Sequence, residues 1–134
     1  MRLMRTQRLL AAACVAMLAG TLGTTAQGHH SRASFDEEHL ATLGGTVKEF
    51  RYTNPHSWIL LMVPNGKGGE DLWELEGNTV NALVRQGWTS KTLEPGMRVK
   101  LLIAPRYDGQ IGGSWKNLLE INGQRFTPPV SAKP

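Results

Sequence analysis

The amino-acid sequence predicts a mainly β fold, a small five-stranded OB-like Greek-key barrel with one short helix between strands 3 and 4. Three observations support this prediction. Five short segments between residues 43 and 122 are apolar, or alternate between apolar and polar residues, as strands do. An Asn-Gly turn joins the second and third segments, and a segment with helical spacing follows the third. Three strands, a helix and two strands is the order of an OB fold, and a small β-sandwich with a helical turn at one end is the alternative.

The first two predicted strands flank a loop and lead into a hairpin. The first contains Val47 and Phe50, and the second, residues 58–63, is apolar enough to be buried on both faces. The second strand runs into a turn at Asn65 and Gly66, a dipeptide that tolerates the positive φ angles of tight turns. The turn therefore predicts that the second and third strands pair as a hairpin.

The third predicted strand, residues 72–76, alternates in polarity. Trp73 and Leu75 lie together on one face, opposite Glu74 and Glu76. Successive side chains of a strand point to opposite sides of the sheet. The tryptophan and leucine are therefore predicted to face the core, and the two glutamates to face water.

A short helix is predicted after the third strand. Val80, Leu83 and Val84 recur at helical spacing, Asn78 is the predicted N-cap, and Gly87 supplies a stop. A turn at residues 93–96 leads to the fourth strand at 98–103, and the fifth follows at 114–122. The predicted organisation is a secretory signal peptide (1–28), an N-terminal arm (29–42), an OB-like β-barrel domain (43–126) and a flexible tail (127–134).

The signal peptide is predicted from three arginines followed by an apolar run. Arg2, Arg5 and Arg8 precede residues 9–22, which carry no charge. The run has about 14 residues, whereas a membrane-spanning helix needs about 20. Because the run continues past Cys14, the only cysteine, we expect removal of Cys14 with the signal rather than its lipidation. Cleavage between Ala26 and Gly28, periplasmic or secreted localisation, and a mature chain without disulfides are the resulting expectations.

Charge argues against two classes of partner. The whole chain has 15 basic and 11 acidic side chains, for a formal charge of +4. Without the three arginines of the signal, 12 basic side chains face 11 acidic ones, for a formal charge of +1. Neither nucleic acid nor an anionic membrane surface is therefore an expected partner of the mature chain. Roughly 106 residues would remain after cleavage, which suits a single small domain.

Several strings together resemble a family of small exported bacterial proteins that is classed as a domain of unknown function. The resemblance extends from residue 29 to about residue 121, and it implies export and a single β domain but no activity. The family typically has lysine where His39 stands and glycine where Asn78 stands, so His39 is not expected in a shared site. The strings are His29-His30-Ser31, Phe35-Asp36, residues 45–50, Thr53-Asn54-Pro55-His56-Ser57-Trp58, Glu76-Gly77-Asn78, Gly87-Trp88 and residues 93–96.

The candidate metal ligands are His29, His30 and His56. Imidazole is the commonest protein ligand for late transition metals, and the mature chain offers no cysteine for such a site. If cleavage follows Gly28, the α-amine and Nδ1 of His29 form a chelate that His30 or His56 can extend. If cleavage follows Ala26, residues 27–29 form a square-planar nitrogen site. Both arrangements favour Cu(II). The plainer interpretations are that His29 and His30 belong to a solvated terminus and that His56 only stabilises its loop by a hydrogen bond.

The leading functional hypothesis is an exported copper-binding or copper-handling module without catalytic turnover. An oxidative copper enzyme is a weaker hypothesis, because so small a domain hardly supplies a substrate-binding face. The alternative of a different class is a protein-interaction domain without metal, which docks a partner around Trp58 and Trp88. Apart from this docking hypothesis, all four tryptophans are predicted to belong to the core, since each has apolar neighbours in the sequence. They are Trp58, Trp73, Trp88 and Trp115.

Overall fold

Across residues 34–129, the part of the chain that the structure describes, a computed structural model contains six β-strands and one short helix. The mainly β prediction is confirmed. The predicted signal peptide, Cys14, His29 and His30 lie outside the described residues. The elements are β1 (Ala41–Arg51), β2 (Trp58–Pro64), β3 (Glu70–Glu76), α1 (Val80–Arg85), β4 (Arg98–Pro105), β5 (Gly113–Ile121) and β6 (Gln124–Arg125).

The six strands form one sheet in the order β3-β2-β1-β4-β5-β6, and neighbours in this order are antiparallel. A further pairing joins β3 to β5 in parallel, with Leu75 opposite Gly113 and Glu76 opposite Ser114. The five longer strands therefore form a closed circuit of pairings. This circuit brings the end of β3 beside the start of β5, and the candidate site lies at that junction.

Two Asn-Gly turns shape the ends of the sheet. Asn65 closes the predicted β2–β3 turn, since its Oδ1 accepts hydrogen bonds from the backbone of Lys67 and Gly69 at 3.0 and 3.2 Å. The second turn joins β5 to β6 through Asn122 and Gly123, whose φ angles are 50° and 80°. The prediction of five strands missed β6, although the Asn-Gly signal of its hairpin is present in the sequence.

The short helix α1 is confirmed between β3 and β4. Its N-cap is Thr79, whose side chain accepts a hydrogen bond from the backbone N–H of Ala82, so the prediction of Asn78 as the cap was wrong by one residue. The backbone carbonyl of Asn78 instead accepts from Ser57. Leu83 is buried in the core, whereas Val84 is 55% exposed.

The core lies on one side of the strands and is rich in aromatic rings. Trp88 packs against Trp115 with ring centroids 5.0 Å apart, and against Phe126 at 5.5 Å. Trp73 is partly buried against this core, whereas Trp58 is half-buried outside it, so the core prediction for Trp58 was wrong. The buried core residues are Val47, Ile59, Leu61, Val63, Leu75, Leu83, Trp88, Leu93, Val99, Leu101, Ile103, Trp115 and Leu118.

Strand β2 is apolar on both faces, as predicted, but its faces have different neighbours. Alternate residues Ile59, Leu61 and Val63 point into the core. Leu60 is only 4% exposed and yet does not belong to the core. We call the side of β1, β2 and β3 opposite to the core the outer face. On β2 the outer face carries Trp58, Leu60 and Met62.

Candidate functional site

The segment that carries His56 is tied to the start of α1. It links β1 to β2 and contains a cis peptide bond between Asn54 and Pro55. The Oδ1 atom of Asn54 accepts a hydrogen bond from the backbone N–H of Val80 at 3.0 Å. The hydroxyl of Thr53 donates to the carbonyl of His56 at 3.3 Å. The loop backbone is thus held at both ends, and this fixes where the imidazole of His56 lies.

Ser57 locks this segment to the end of β3. Its backbone N–H and its hydroxyl both donate to the carbonyl of Asn78, at 3.0 and 2.8 Å. Its own carbonyl accepts from the backbone N–H of Gly77 at 2.8 Å. Ser57 is fully buried, so these bonds satisfy polar groups that water cannot reach. The Thr-Asn-Pro-His-Ser-Trp and Glu-Gly-Asn strings therefore meet in one structure.

The imidazole of His56 faces two oxygen atoms with its Nδ1. Nδ1 lies 3.3 Å from the carbonyl oxygen of Gly77 and 3.3 Å from Oε1 of Glu76. The Gly77 carbonyl can only accept a hydrogen bond, so Nδ1 carries the hydrogen in the neutral ring and Nε2 keeps its lone pair. Nε2 makes no hydrogen bond to any residue between 34 and 129, and the side chain is 42% exposed. A nitrogen donor is thus presented to solvent in a fixed orientation.

Glu76 differs from the prediction, which placed it in water beside Glu74. Its side chain is only 10% exposed, whereas Glu74 is exposed as predicted. The burial follows from contacts that strand alternation does not reveal. Glu76 pairs with Ser114 of β5, and Phe35, from the segment before β1, lines the same pocket. A buried carboxylate needs a partner, and His56 is the partner present.

A small pocket of about 130 Å³ opens at His56 and Glu76. Trp115 lines it, and its indole Nε1 is buried without a hydrogen-bond partner among residues 34–129. Gly77 permits this arrangement, because a Cβ at this position would collide with the Trp115 indole and lie 2.7 Å from Ser57 Oγ. The remaining lining residues are Phe35, Asn78, Thr79, Ser114 and Lys116.

The other predicted site residues are only partly within reach of the structure. His29 and His30 lie outside the described residues. His39 is exposed, and its Nδ1 contacts Asp36 Oδ2 at 3.0 Å in the segment before β1. Within the described part of the chain, no group of three His, Cys, Asp or Glu side chains is arranged to hold a metal ion. His56 alone does not make a metal site, and further ligands have to come from elsewhere.

Trp88, which the docking hypothesis names with Trp58, is buried. Trp88 is 4% exposed and belongs to the core, and its carbonyl accepts a hydrogen bond from the Tyr52 hydroxyl at 3.0 Å. Its ring therefore offers no surface to a partner. Trp58, the second tryptophan of that hypothesis, is half-buried on the outer face. The register that pairs Trp58 with Glu76 also brings His56 close to Gly77.

The fold and the pocket define a small mainly β domain with a histidine-carboxylate pair at the mouth of a polar pocket. The chain belongs to the Family of unknown function (DUF6152), whose model matches residues 17–116. The predicted membership of a small family of unknown function is thus confirmed. No curated protein and no solved structure matches the chain. Between residues 34 and 129, the structure has no helix that is both long and apolar enough to cross a membrane.

Proposed function

We propose that the protein is an exported periplasmic copper-binding or copper-handling module, built on an OB-like Greek-key barrel and acting without catalytic turnover. His56 contributes one ligand through Nε2, and the mature N-terminus contributes the others through His29 and His30. Support for the barrel comes from the closed circuit of strand pairings and from the position of α1 between β3 and β4. Both features are typical of the five-stranded OB topology.

The observation that carries the proposal is the orientation of His56. Histidines that bind metals donate their second ring N–H to a carboxylate, a backbone carbonyl or water, which fixes the tautomer and orients the ring. The Nδ1 of His56 faces both a carboxylate, on Glu76, and a backbone carbonyl, on Gly77. The free Nε2 is then oriented as a ligand.

Chain length allows the predicted N-terminal ligands to reach this histidine. Phe35 lines the pocket with His56 and is held to the sheet by a β-bridge to Arg106. His29 precedes Phe35 by six positions, and six residues of extended chain span at most about 20 Å. An α-amine and imidazole nitrogens form the tetragonal donor set that favours Cu(II), which also heads the affinity order of divalent metals. Zinc should bind more weakly.

The test is a copper titration of the correctly processed protein. We expect a dissociation constant below about 1 μM, and a loss of roughly 10-fold to 100-fold with His29→Ala or His56→Ala. A protein extended by one residue before its native N-terminus should lose affinity too, because the chelating α-amine is displaced. His39→Ala is the matched control and should bind as the unaltered protein does. Equal binding by all variants, or binding weaker than micromolar throughout, would leave the metal-free interaction domain as the better hypothesis.

Export is tested separately by the mass of the secreted protein. We expect a mature chain that begins at Gln27 or His29, because small residues precede both positions. Retention of Met1, or lipid on Cys14, would contradict the proposed processing. This measurement also identifies which of the two N-terminal chelates the copper titration has to examine.

A further inference from the structure

Strand β3 has a partly free edge. On one side it pairs with β2 along its whole length, from Glu70 to Glu76. On its other side it pairs with β5 only at Leu75 and Glu76. Within residues 34–129, the outward-pointing backbone groups of residues 70–73 are therefore paired with no strand, whereas the carbonyl of Glu74 faces Gly112 at the β3–β5 junction. Such an edge is a template for an added strand unless the protein protects it.

A groove of about 420 Å³ lies between β3 and the segment that leads into β5. Leu72 and Ile111 both line it, and these side chains are 37% and 51% exposed. Arg106 lines it too, but its guanidinium is paired with Asp108 at 2.7 Å. Trp58 lies in the floor from the neighbouring strand β2. The free edge is thus bordered by exposed apolar side chains, which would gain from being covered.

The outer side of this edge is acidic. Glu70, Leu72 and Glu74 alternate along β3 and share the outer face. In the described part of the chain, neither Glu70 nor Glu74 takes part in an ion pair within 4 Å. The Arg51 guanidinium is bound to Glu49 at 3.0 Å, and Glu74 helps this bond to raise the pKa of Arg51 through its negative charge.

The acidic side chains select against a second copy of this chain at the edge. If β3 paired with β3 of another molecule, Glu70 and Glu74 would meet glutamates across the new ladder, and directly opposed like charges destabilise a strand pair. A cationic strand meets no such repulsion. Opposite-charge pairs across antiparallel strands are stabilising.

We infer that the free edge of β3 binds an extended segment of a partner protein in which cationic, apolar and cationic residues alternate on one face. The backbone of this segment would pair with residues 70–73. Its apolar residue would cover Leu72 and contact Ile111, and its two cations would face Glu70 and Glu74. This is strand addition, in which backbone hydrogen bonds supply affinity and alternate side chains supply specificity. The inference does not depend on copper.

The test is a titration of the ¹⁵N-labelled secreted protein with a capped peptide of sequence Thr-Lys-Thr-Leu-Thr-Lys-Thr. We expect amide shift changes confined to residues 70–74 and 106–112, and a dissociation constant below about 1 mM. The same peptide with glutamate for lysine should not bind. The lysine peptide with N-methyl groups on alternate residues should not bind either, because it cannot form the ladder hydrogen bonds.

A charge exchange makes the test specific to this edge. The double variant Glu70→Lys with Glu74→Lys should bind the lysine peptide about tenfold more weakly and should acquire affinity for the glutamate peptide. Glu38→Lys with Glu94→Lys alters the net charge equally, and both residues lie outside the groove lining. This control should bind as the unaltered protein does. Equal binding of the N-methylated peptide, shift changes at other surfaces, no binding, or self-association through residues 70–74 would each overturn the inference.

Discussion

Two adjacent residues of β2, Leu60 and Leu61, show how the two faces of this sheet differ. They are 4% and 0% exposed, so both are buried. Leu61 lies among the aromatic and aliphatic side chains of the core. Leu60 lies on the outer face, in a row with Glu49 of β1 and Glu74 of β3. Two side chains of similar burial therefore have different surroundings, the core cluster for Leu61 and a row that includes carboxylates for Leu60.

The two faces of β1, β2 and β3 are also expected to differ in what they contribute, stability on the inner face and binding on the outer face. The inner face is mostly apolar and supplies packing. The outer face combines apolar side chains with carboxylates, and near its end Glu76 meets His56. An apolar side chain beside an exposed carboxylate contributes less to a core, but it can recognise a ligand or partner. We therefore expect substitutions on the inner face to alter mainly stability, and substitutions on the outer face to alter mainly binding.

The largest effect is expected for Leu61→Ala. Leu61 is fully buried in the core, so the substitution removes apolar contacts and leaves a cavity that its neighbours only partly fill. The free energy of unfolding should fall by about 2–5 kcal/mol, measured by urea denaturation. Leu72→Ala on the exposed outer face is the control and should change it by less than about 1 kcal/mol. Similar losses in the two variants would remove the distinction between the faces.

A second large effect is expected at the junction of β3 and β5. The Cβ added by Gly77→Ala would collide with the Trp115 indole and approach Ser57, which are both buried. Overpacking of this kind costs about 1–3 kcal/mol. Gly44→Ala is the matched control, since its Cβ would have only the carbonyl oxygen of Val99 within 4 Å, at 3.9 Å. Thermal unfolding of the pair decides the outcome, and an equal change in melting temperature would contradict the expected collision.

A smaller loss is expected for Leu60→Ala than for Leu61→Ala. Leu60 lies on the outer face opposite Glu49 and Glu74 and does not belong to the core cluster, so its truncation opens no cavity among the core side chains. We expect the free energy of unfolding to fall by about 1–2 kcal/mol, mostly from lost apolar burial. Urea denaturation measures this directly beside the Leu61 variant. A loss as large as that of Leu61→Ala would show that the outer face is packed like a second core.

The fold could be predicted because its signals are local. The alternation of Trp73 and Leu75 with Glu74, the apolar run of β2 and the spacing of α1 are all readable within ten residues. Strand β6 was missed because two residues carry no periodicity, and its turn at Asn122 and Gly123 is the only signal for it.

The site could be predicted only in part, because its contacts are non-local. His56 was a candidate from its motif. Its partner Glu76 was placed in water, because strand alternation does not reveal that β5 pairs beside it or that Phe35 packs there. The locking role of Ser57 was missed for the same reason, since its partner Asn78 is 21 residues away.

The smallest expected effect concerns an ion pair in the loop that borders the outer face. Arg106 donates two hydrogen bonds to Asp108, at 3.0 and 2.7 Å, and the backbone N–H of Gln110 donates a third. These bonds lower the pKa of Asp108 from 3.8 to about 2, with the Arg106 hydrogen bonds as the main cause. A lowered pKa in the folded state stabilises the protein above pH 3.8, and this stabilisation is lost as the pH falls from there toward 2.

Arg106→Gln should therefore bring the pKa of Asp108 back toward 3.8, which an NMR titration of its side-chain carboxyl carbon measures. Because the pair is exposed, the melting temperature of the variant at pH 7 should stay close to that of the unaltered protein. The pair of His56 and Glu76 provides the contrast, since removing the imidazole there leaves the buried carboxylate of Glu76 without its partner. An unchanged Asp108 pKa in the variant would show that Arg106 is not the cause of the shift.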